Sequence, residues 1–121
     1  MNFKIGNDII EVQRIKKSFE KFPDKFKTKI YTDKEIDYCE KKGMNKYQCY
    51  AARFAAKEAI FKAISETIDN KYAIDWKDIE IINDKSGRPH ANVNNTQIKS
   101  IDISLSHIKE YAIATALVVV D

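Results

Sequence analysis

The sequence predicts an α+β domain in which helices pack on an antiparallel sheet. Three observations carry that prediction. Apolar residues recur at helical spacing through the first half of the chain, the spacing changes to period two after Asp75, and one short early run, residues 3–6, reads as a strand. Helices first and strands later, with one early strand, favour antiparallel pairing. A chain of 121 residues is the length of one domain, 1–121.

The elements follow in order. After the strand at 3–6, Asn7-Asp8 opens a helix, with Asp8 as cap and Glu11 three residues later in a capping-box position. Ile9, Val12, Ile15 and Phe19 supply that helix's apolar stripe. Pro23 interrupts the pattern, and a second helix covers residues 24–30. Thr32, with Glu35 at the box position, starts a third helix that runs to about Lys42 and stops at Gly43. A long helix spans residues 46–68. Ile79 and Ile81 mark a strand, residues 83–87 (Asn-Asp-Lys-Ser-Gly) are turn chemistry, and residues 89–93 return. Residues 101–106 alternate apolar and polar, a connection follows at 108–110, and the final strand covers Tyr111–Val120.

Composition narrows the function classes. The chain is 44% hydrophobic and 32% charged, as in a soluble globular protein. No apolar run approaches the ~20 residues of a membrane span, and the first residues have no signal-peptide core. Cys39 and Cys49 lie outside any CxxC or Cys/His cluster, which argues against zinc. They read as two free thiols in a reducing, bacterial-type cytoplasm. The net charge of +3 hides an uneven distribution: residues 13–29 carry seven basic and two acidic side chains, a local +5. That run is either a solvated helix face or a landing patch for an acidic partner, nucleic acid or protein. Its interleaved Phe19, Phe22 and Phe26 fit a core better than base stacking.

Three segments carry chemistry. In residues 53–63 (Arg-Phe-Ala-Ala-Lys-Glu-Ala-Ile-Phe-Lys-Ala), Glu58 and Lys62 share one helix face, while Ala56, Ile60, Ala63 and Ile64 face a core. Taken alone, Glu58 and Lys62 read as a solvent-facing pair worth about 0.2–0.5 kcal/mol. With Asp8 they gain another reading. Two carboxylates can hold Mg²⁺, with waters and phosphates completing its shell. Lys62 then neutralises phosphate oxygens as a point charge. The third segment is residues 104–107 (Ser-Leu-Ser-His) at a strand end. Ser106 and His107 are adjacent on a strand, so they point to opposite faces and form no hydrolase dyad.

These segments, in this order, closely resemble the holo-acyl-carrier-protein synthases, the small bacterial type of 4′-phosphopantetheinyl transferase. Residues 6–15 (Gly-Asn-Asp-Ile-Ile-Glu-Val-Gln-Arg-Ile) match the family's opening pattern, 53–63 its central signature, and Ser-Leu-Ser-His followed by Tyr-Ala-Ile-Ala its third. Residues 31–35 (Tyr-Thr-Asp-Lys-Glu) and 87–89 (Gly-Arg-Pro) also fit, and the resemblance spans the whole chain.

The resemblance implies the phosphopantetheinyl transferase fold and a reaction. The phosphopantetheine arm of coenzyme A moves to a serine of apo-acyl carrier protein, leaving adenosine 3′,5′-bisphosphate. It implies Asp8 and Glu58 as Mg²⁺ ligands, Lys62 as the phosphate contact, and His107 with Ser106 along the coenzyme A site. Arg53 and Gly87, Arg88 and Pro89 reach the nucleotide end. Arg14 matches the position that contacts the carrier protein; Lys16, Lys17 and Lys21 add charge beside it. The proton acceptor is Glu58, Asp8 or a metal-bound hydroxide. Arg53 stands about 140° around the helix from Glu58, so the two face different sides. The homotrimer that the resemblance implies, with sites at subunit interfaces, accommodates that. The implied partners are carrier protein and coenzyme A, with neither nucleic acid nor membrane, and the setting is cytoplasmic. Two rival readings use the same features: a basic binding module, and a Mg²⁺-dependent phosphohydrolase with water as nucleophile.

Overall fold

The computed structural model describes residues 2–65, 74–95 and 97–120. It is α+β, with antiparallel sheets, as the sequence predicts. The order is β1 (Asn2–Glu11), α1 (Val12–Lys21), α2 (Pro23–Ile30), α3 (Asp33–Glu40), a 3₁₀ turn (Gly43–Asn45), α4 (Lys46–Ile64), a second 3₁₀ turn (Trp76–Asp78), β2 (Ile79–Asn83), β3 (Pro89–Val93), β4 (Ile98–His107) and β5 (Tyr111–Val120). Three strands form an antiparallel sheet in the order β1-β5-β4, and β2 pairs with β3 in a hairpin. The part of the predicted long helix at 66–68 lies outside the described residues.

Small side chains decide how α4 meets the sheet. Ala55, Ala56 and Ala59 of α4 are buried in one cluster with Ala114 and Ala116 of β5. Alanine favours the helix and keeps it close to the strand. Gly6 completes the fit on β1. A Cβ there would fall on the carbonyl oxygen of Ala59 and 2.9 Å from the Ala63 nitrogen. Any side chain at Gly6 would push α4 off the sheet. A second cluster joins α1 to α4 through Val12, Ile15, Phe19, Tyr31 and Tyr50.

Two expectations are corrected. Asp8 caps no helix. β1 runs unbroken from Asn2 opposite Val120 to Glu11 opposite Tyr111, which places Asp8 opposite Ala114. Continuous pairing with a long central strand outweighs a local capping pattern. α1 therefore starts at Val12, whose amide donates to Glu110 O at 2.9 Å. Ile9 consequently leaves the helical stripe and stands 61% exposed on the sheet. The cysteines are also not free: Cys39 and Cys49 form a disulfide, their Cα atoms 5.5 Å apart. The turn between α3 and α4 folds the chain back and brings the two helices together there. A spacing of ten residues gave no sign of that.

The third helix start is as predicted. Thr32 Oγ1 accepts from Glu35 N at 3.3 Å, and Glu35 Oε1 accepts from Thr32 N at 2.8 Å. No helix of the described residues is long and apolar enough to cross a membrane.

Candidate functional site

The close approach of α4 to β1 at Gly6 sets Glu58 and Lys62 beside Asn7 and Asp8. Lys62 Nζ donates to Asp8 Oδ1 at 2.9 Å and to Asn7 O at 3.1 Å. Asp8, Glu58 and Arg14 line one cavity of about 260 Å³ with Ser18, Phe26 and Phe54. Burial, then the Asp8 charge, pushes the Glu58 carboxyl above its ordinary range; Lys62 opposes both. A carboxyl whose proton affinity is raised beside a second carboxylate is a hard-oxygen site suited to a cation. Among the described residues, no group of three His, Cys, Asp or Glu side chains gathers for a metal. A two-carboxylate set fits Mg²⁺, which commonly keeps waters and substrate phosphates as its remaining ligands.

The second cluster lies on the other side of α4. A cavity of about 420 Å³ is lined by Arg53, Gly87, Pro89 and His107, together with Tyr38 and Lys42. Arg53 is only 4% exposed. Its Nη1 donates to Cys49 Sγ at 3.2 Å, its Nη2 to Asn83 Oδ1, and its guanidinium lies 4.4 Å from the Tyr38 ring centre. Its Nε has no hydrogen-bond partner. Burial lowers the Arg53 pKa from its ordinary value, opposed by Tyr38 and Glu35. A buried cation without a carboxylate against it, at the wall of a cavity, favours an anion inside.

Gly87 sits at φ +88°, a conformation that favours glycine, in the turn between β2 and β3. Asp84 Oδ1 accepts from Arg88 N at 3.0 Å and Ser86 N at 2.9 Å. Those bonds and His90 hold the Asp84 carboxyl far below its ordinary range, with the Ser86 hydroxyl the largest cause.

The structure thus brings Asp8, Glu58, Lys62 and Arg14 together. It brings Arg53, Gly87, Pro89 and His107 together separately. Arg88 reaches this second group through its backbone position, beside Gly87 and Pro89. Ser106 pairs with Ile113 and faces the other side of the sheet from His107. Lys21 ends α1, away from both cavities, with its ammonium 5.4 Å from the Phe22 ring centre. Tyr38, Lys42 and Asn83 are wall residues that sequence reasoning missed; only the fold of α3 and β2 brings them to Arg53.

The class follows from these comparisons. A family model, that of the 4′-phosphopantetheinyl transferase superfamily, matches residues 4–116, and the chain belongs to that superfamily. Within it the chain is similar to holo-[acyl-carrier-protein] synthases. It is 41% identical to the one from Ruminiclostridium cellulolyticum, over 98% of this chain and 92% of that protein. A crystal structure of the synthase from Bacillus anthracis in complex with CoA (3′,5′-ADP) matches with TM-score 0.77 and 38% identity, covering 95% of this chain and 94% of that one. The Helicobacter pylori synthase in complex with coenzyme A matches with TM-score 0.82 and 30% identity, covering 95% and 99%. The family resemblance drawn from the three motifs is borne out.

Proposed function

We propose that this chain transfers the 4′-phosphopantetheine moiety of coenzyme A to a serine of apo-acyl carrier protein, the activity of a holo-acyl-carrier-protein synthase. The serine oxygen forms a bond to the pantetheine-side phosphorus. The bond from that phosphorus to the bridging oxygen breaks, and adenosine 3′,5′-bisphosphate leaves. The observation that carries the reading is the meeting of Asp8, Glu58 and Lys62 in a family whose relatives are named for this reaction and crystallise with coenzyme A.

Asp8 and Glu58 are the residues that would hold Mg²⁺, which when bound supplies charge neutralisation for the pyrophosphate. Lys62 offers an ammonium to the phosphate oxygens. Arg53, His107 and the Gly87-Arg88-Pro89 turn take the nucleotide end, and Arg14 meets the carrier protein beside the reacting centre. Residues 1–121 act as one transferase domain in the cytoplasm. Incubation with coenzyme A, Mg²⁺ and apo-carrier protein, followed by weighing the carrier protein, tests this. A gain of one phosphopantetheine arm is expected. Cleaved coenzyme A without that gain would mean a hydrolase, and an inert mixture would mean a binding module.

The two cavities open on different sides of α4, and a homotrimer is the assembly we propose to join them between subunits. Its support is the outer face of the main sheet, where Phe3 is 63%, Ile5 71%, Ile9 61% and Ile113 40% exposed. Large apolar side chains exposed on one sheet face, on either side of the Asn7–Thr115 pair, fit an interface. Ser106 stands on that same face, where it would meet a neighbour's coenzyme A. Light scattering should give about 42 kDa, three times the 14.0 kDa chain. An active monomer at micromolar concentration would overturn the assembly.

A further inference from the structure

We propose that the Cys39–Cys49 disulfide is a redox-sensitive support for the Arg53 cavity, so that its reduction weakens binding of the nucleotide end of coenzyme A. The inference rests on the reading of that cavity as the nucleotide site.

Four observations lead to it. The disulfide ties the last turn of α3 to the first turn of α4. Cys49 Sγ is itself an acceptor for Arg53 Nη1, at 3.2 Å. Tyr38, the neighbour of Cys39, carries the Arg53 guanidinium 4.4 Å from its ring centre and the Lys42 ammonium at 4.6 Å. Arg53 is 4% exposed and its Nε is unpartnered. The cationic wall of the cavity is therefore held by a sulfur, an amide oxygen and one aromatic ring, with no carboxylate among these partners. Such partners orient a guanidinium weakly, and two of the three belong to or adjoin the crosslink.

Reduction changes that frame. Two thiols of a dithiol reductant supply two electrons and two protons. The S–S bond breaks, each sulfur takes a proton, and the reductant leaves as its own cyclic disulfide. The sulfurs then part from bonded to non-bonded distance, and α3 is no longer fixed to α4 at that point. Arg53 must be ordered again when an anion binds, and that ordering cost lowers affinity.

The route of attack is also set. Cys39 is 0% exposed, while Cys49 lines the cavity. An attacking thiolate reaches the bond at Cys49, through the space the nucleotide would fill. Linkage then runs both ways: whatever factor reduction costs the nucleotide, the nucleotide returns as resistance to reduction.

The test uses the full chain, oxidised with diamide or reduced with dithiothreitol, and adenosine 3′,5′-bisphosphate as the probe. Calorimetry should give a Kd at least about fivefold weaker for the reduced protein, the low end of ordinary coupling between sites. A C39S/C49S variant should bind like the reduced form and ignore both reagents. Independently of any variant, saturating probe should slow the appearance of free thiols in the wild-type protein under dithiothreitol. Equal affinities in the two states, thiol release unaffected by probe, or an oxidised protein whose mass lacks the loss of two hydrogens overturns the proposal alone. Binding in neither state overturns the nucleotide reading of the cavity, and this inference with it.

Discussion

Two of the lysine–carboxylate pairs on helix α4 are of nearly equal length and opposite character. Lys57 Nζ meets Glu35 Oε1 at 2.7 Å with both side chains 0% exposed; Lys62 Nζ meets Asp8 Oδ1 at 2.9 Å with 53% and 15% exposed. The buried ammonium also donates to Ile30 O at 2.7 Å and Trp76 O at 3.0 Å, which uses its three N–H groups. Its carboxylate partner accepts from Thr32 N and Ile81 N, both at 2.8 Å. Every hydrogen-bonding need is met inside the fold, so this pair fixes α2, α3, β2 and α4 around one point. Lys62 meets only two oxygens of the described residues, and Glu58 stands beside them with a raised proton affinity. A saturated pair builds the protein; an unsaturated one is available to a ligand.

The largest expected effect comes from breaking the saturated pair. Lys57→Met leaves Glu35 as a buried charge without its cation, which costs about 3–5 kcal/mol. Burial already lowers the Lys57 pKa, against the pull of Glu35, so desolvation is the dominant force there. Adding Glu35→Gln should recover part of the loss, because the stranded charge is gone. Lys62→Met, by contrast, should cost under about 1 kcal/mol, as partly exposed pairs do. Urea unfolding of the four proteins measures all of this. Equal losses for Lys57→Met and Lys62→Met would abolish the distinction.

Next in size is the effect on transfer. Glu58→Gln and Asp8→Asn each keep shape and remove charge from the pair we propose as the Mg²⁺ site. Each should lower the transfer rate by at least about 10²-fold, the scale of losing one charge-stabilising group. Melting temperatures should barely move, since Asp8 caps no helix and its ion pair is partly exposed. Near-full activity of either variant, or of the wild-type protein in EDTA, contradicts the metal assignment. A large drop in melting temperature for Asp8→Asn would instead make Asp8 structural, like Glu35.

Much of this contrast was written in the sequence, and part of it was not. The Thr32/Glu35 box was legible because capping is local chemistry over three residues. That Glu35 also receives Lys57 was not, because the pair joins elements 22 positions apart. The Glu58/Lys62 face was legible from helical phase, and the same phase separated Arg53 from Glu58, as the two cavities confirm. Asp8 was misplaced because a capping pattern and a strand interior look alike over four residues. What settled it was pairing with β5, about a hundred positions away. The disulfide escaped notice for the same reason: a reversal of the chain between α3 and α4, not a spacing rule, brings the sulfurs together.

The smallest expected effect sharpens the contrast at its exposed end. Arg14 borders the Asp8/Glu58 cavity, whereas Lys21 ends the same helix away from it. Acyl carrier protein is the proposed partner, and complementary charge acts mainly on encounter and orientation. Exposed charges are screened within roughly 8–10 Å at physiological salt. Lys21→Glu should therefore raise the KM for carrier protein a few-fold at low salt, with little effect left at high salt. Arg14→Glu should cost more and keep part of its defect at high salt, because it borders a cavity that already holds two carboxylates. Neither should change the KM for coenzyme A appreciably. Both constants measured at two ionic strengths decide it. If the Lys21→Glu defect appears in coenzyme A binding, or persists undiminished in salt, the basic run on α1 is not a steering surface for the carrier protein.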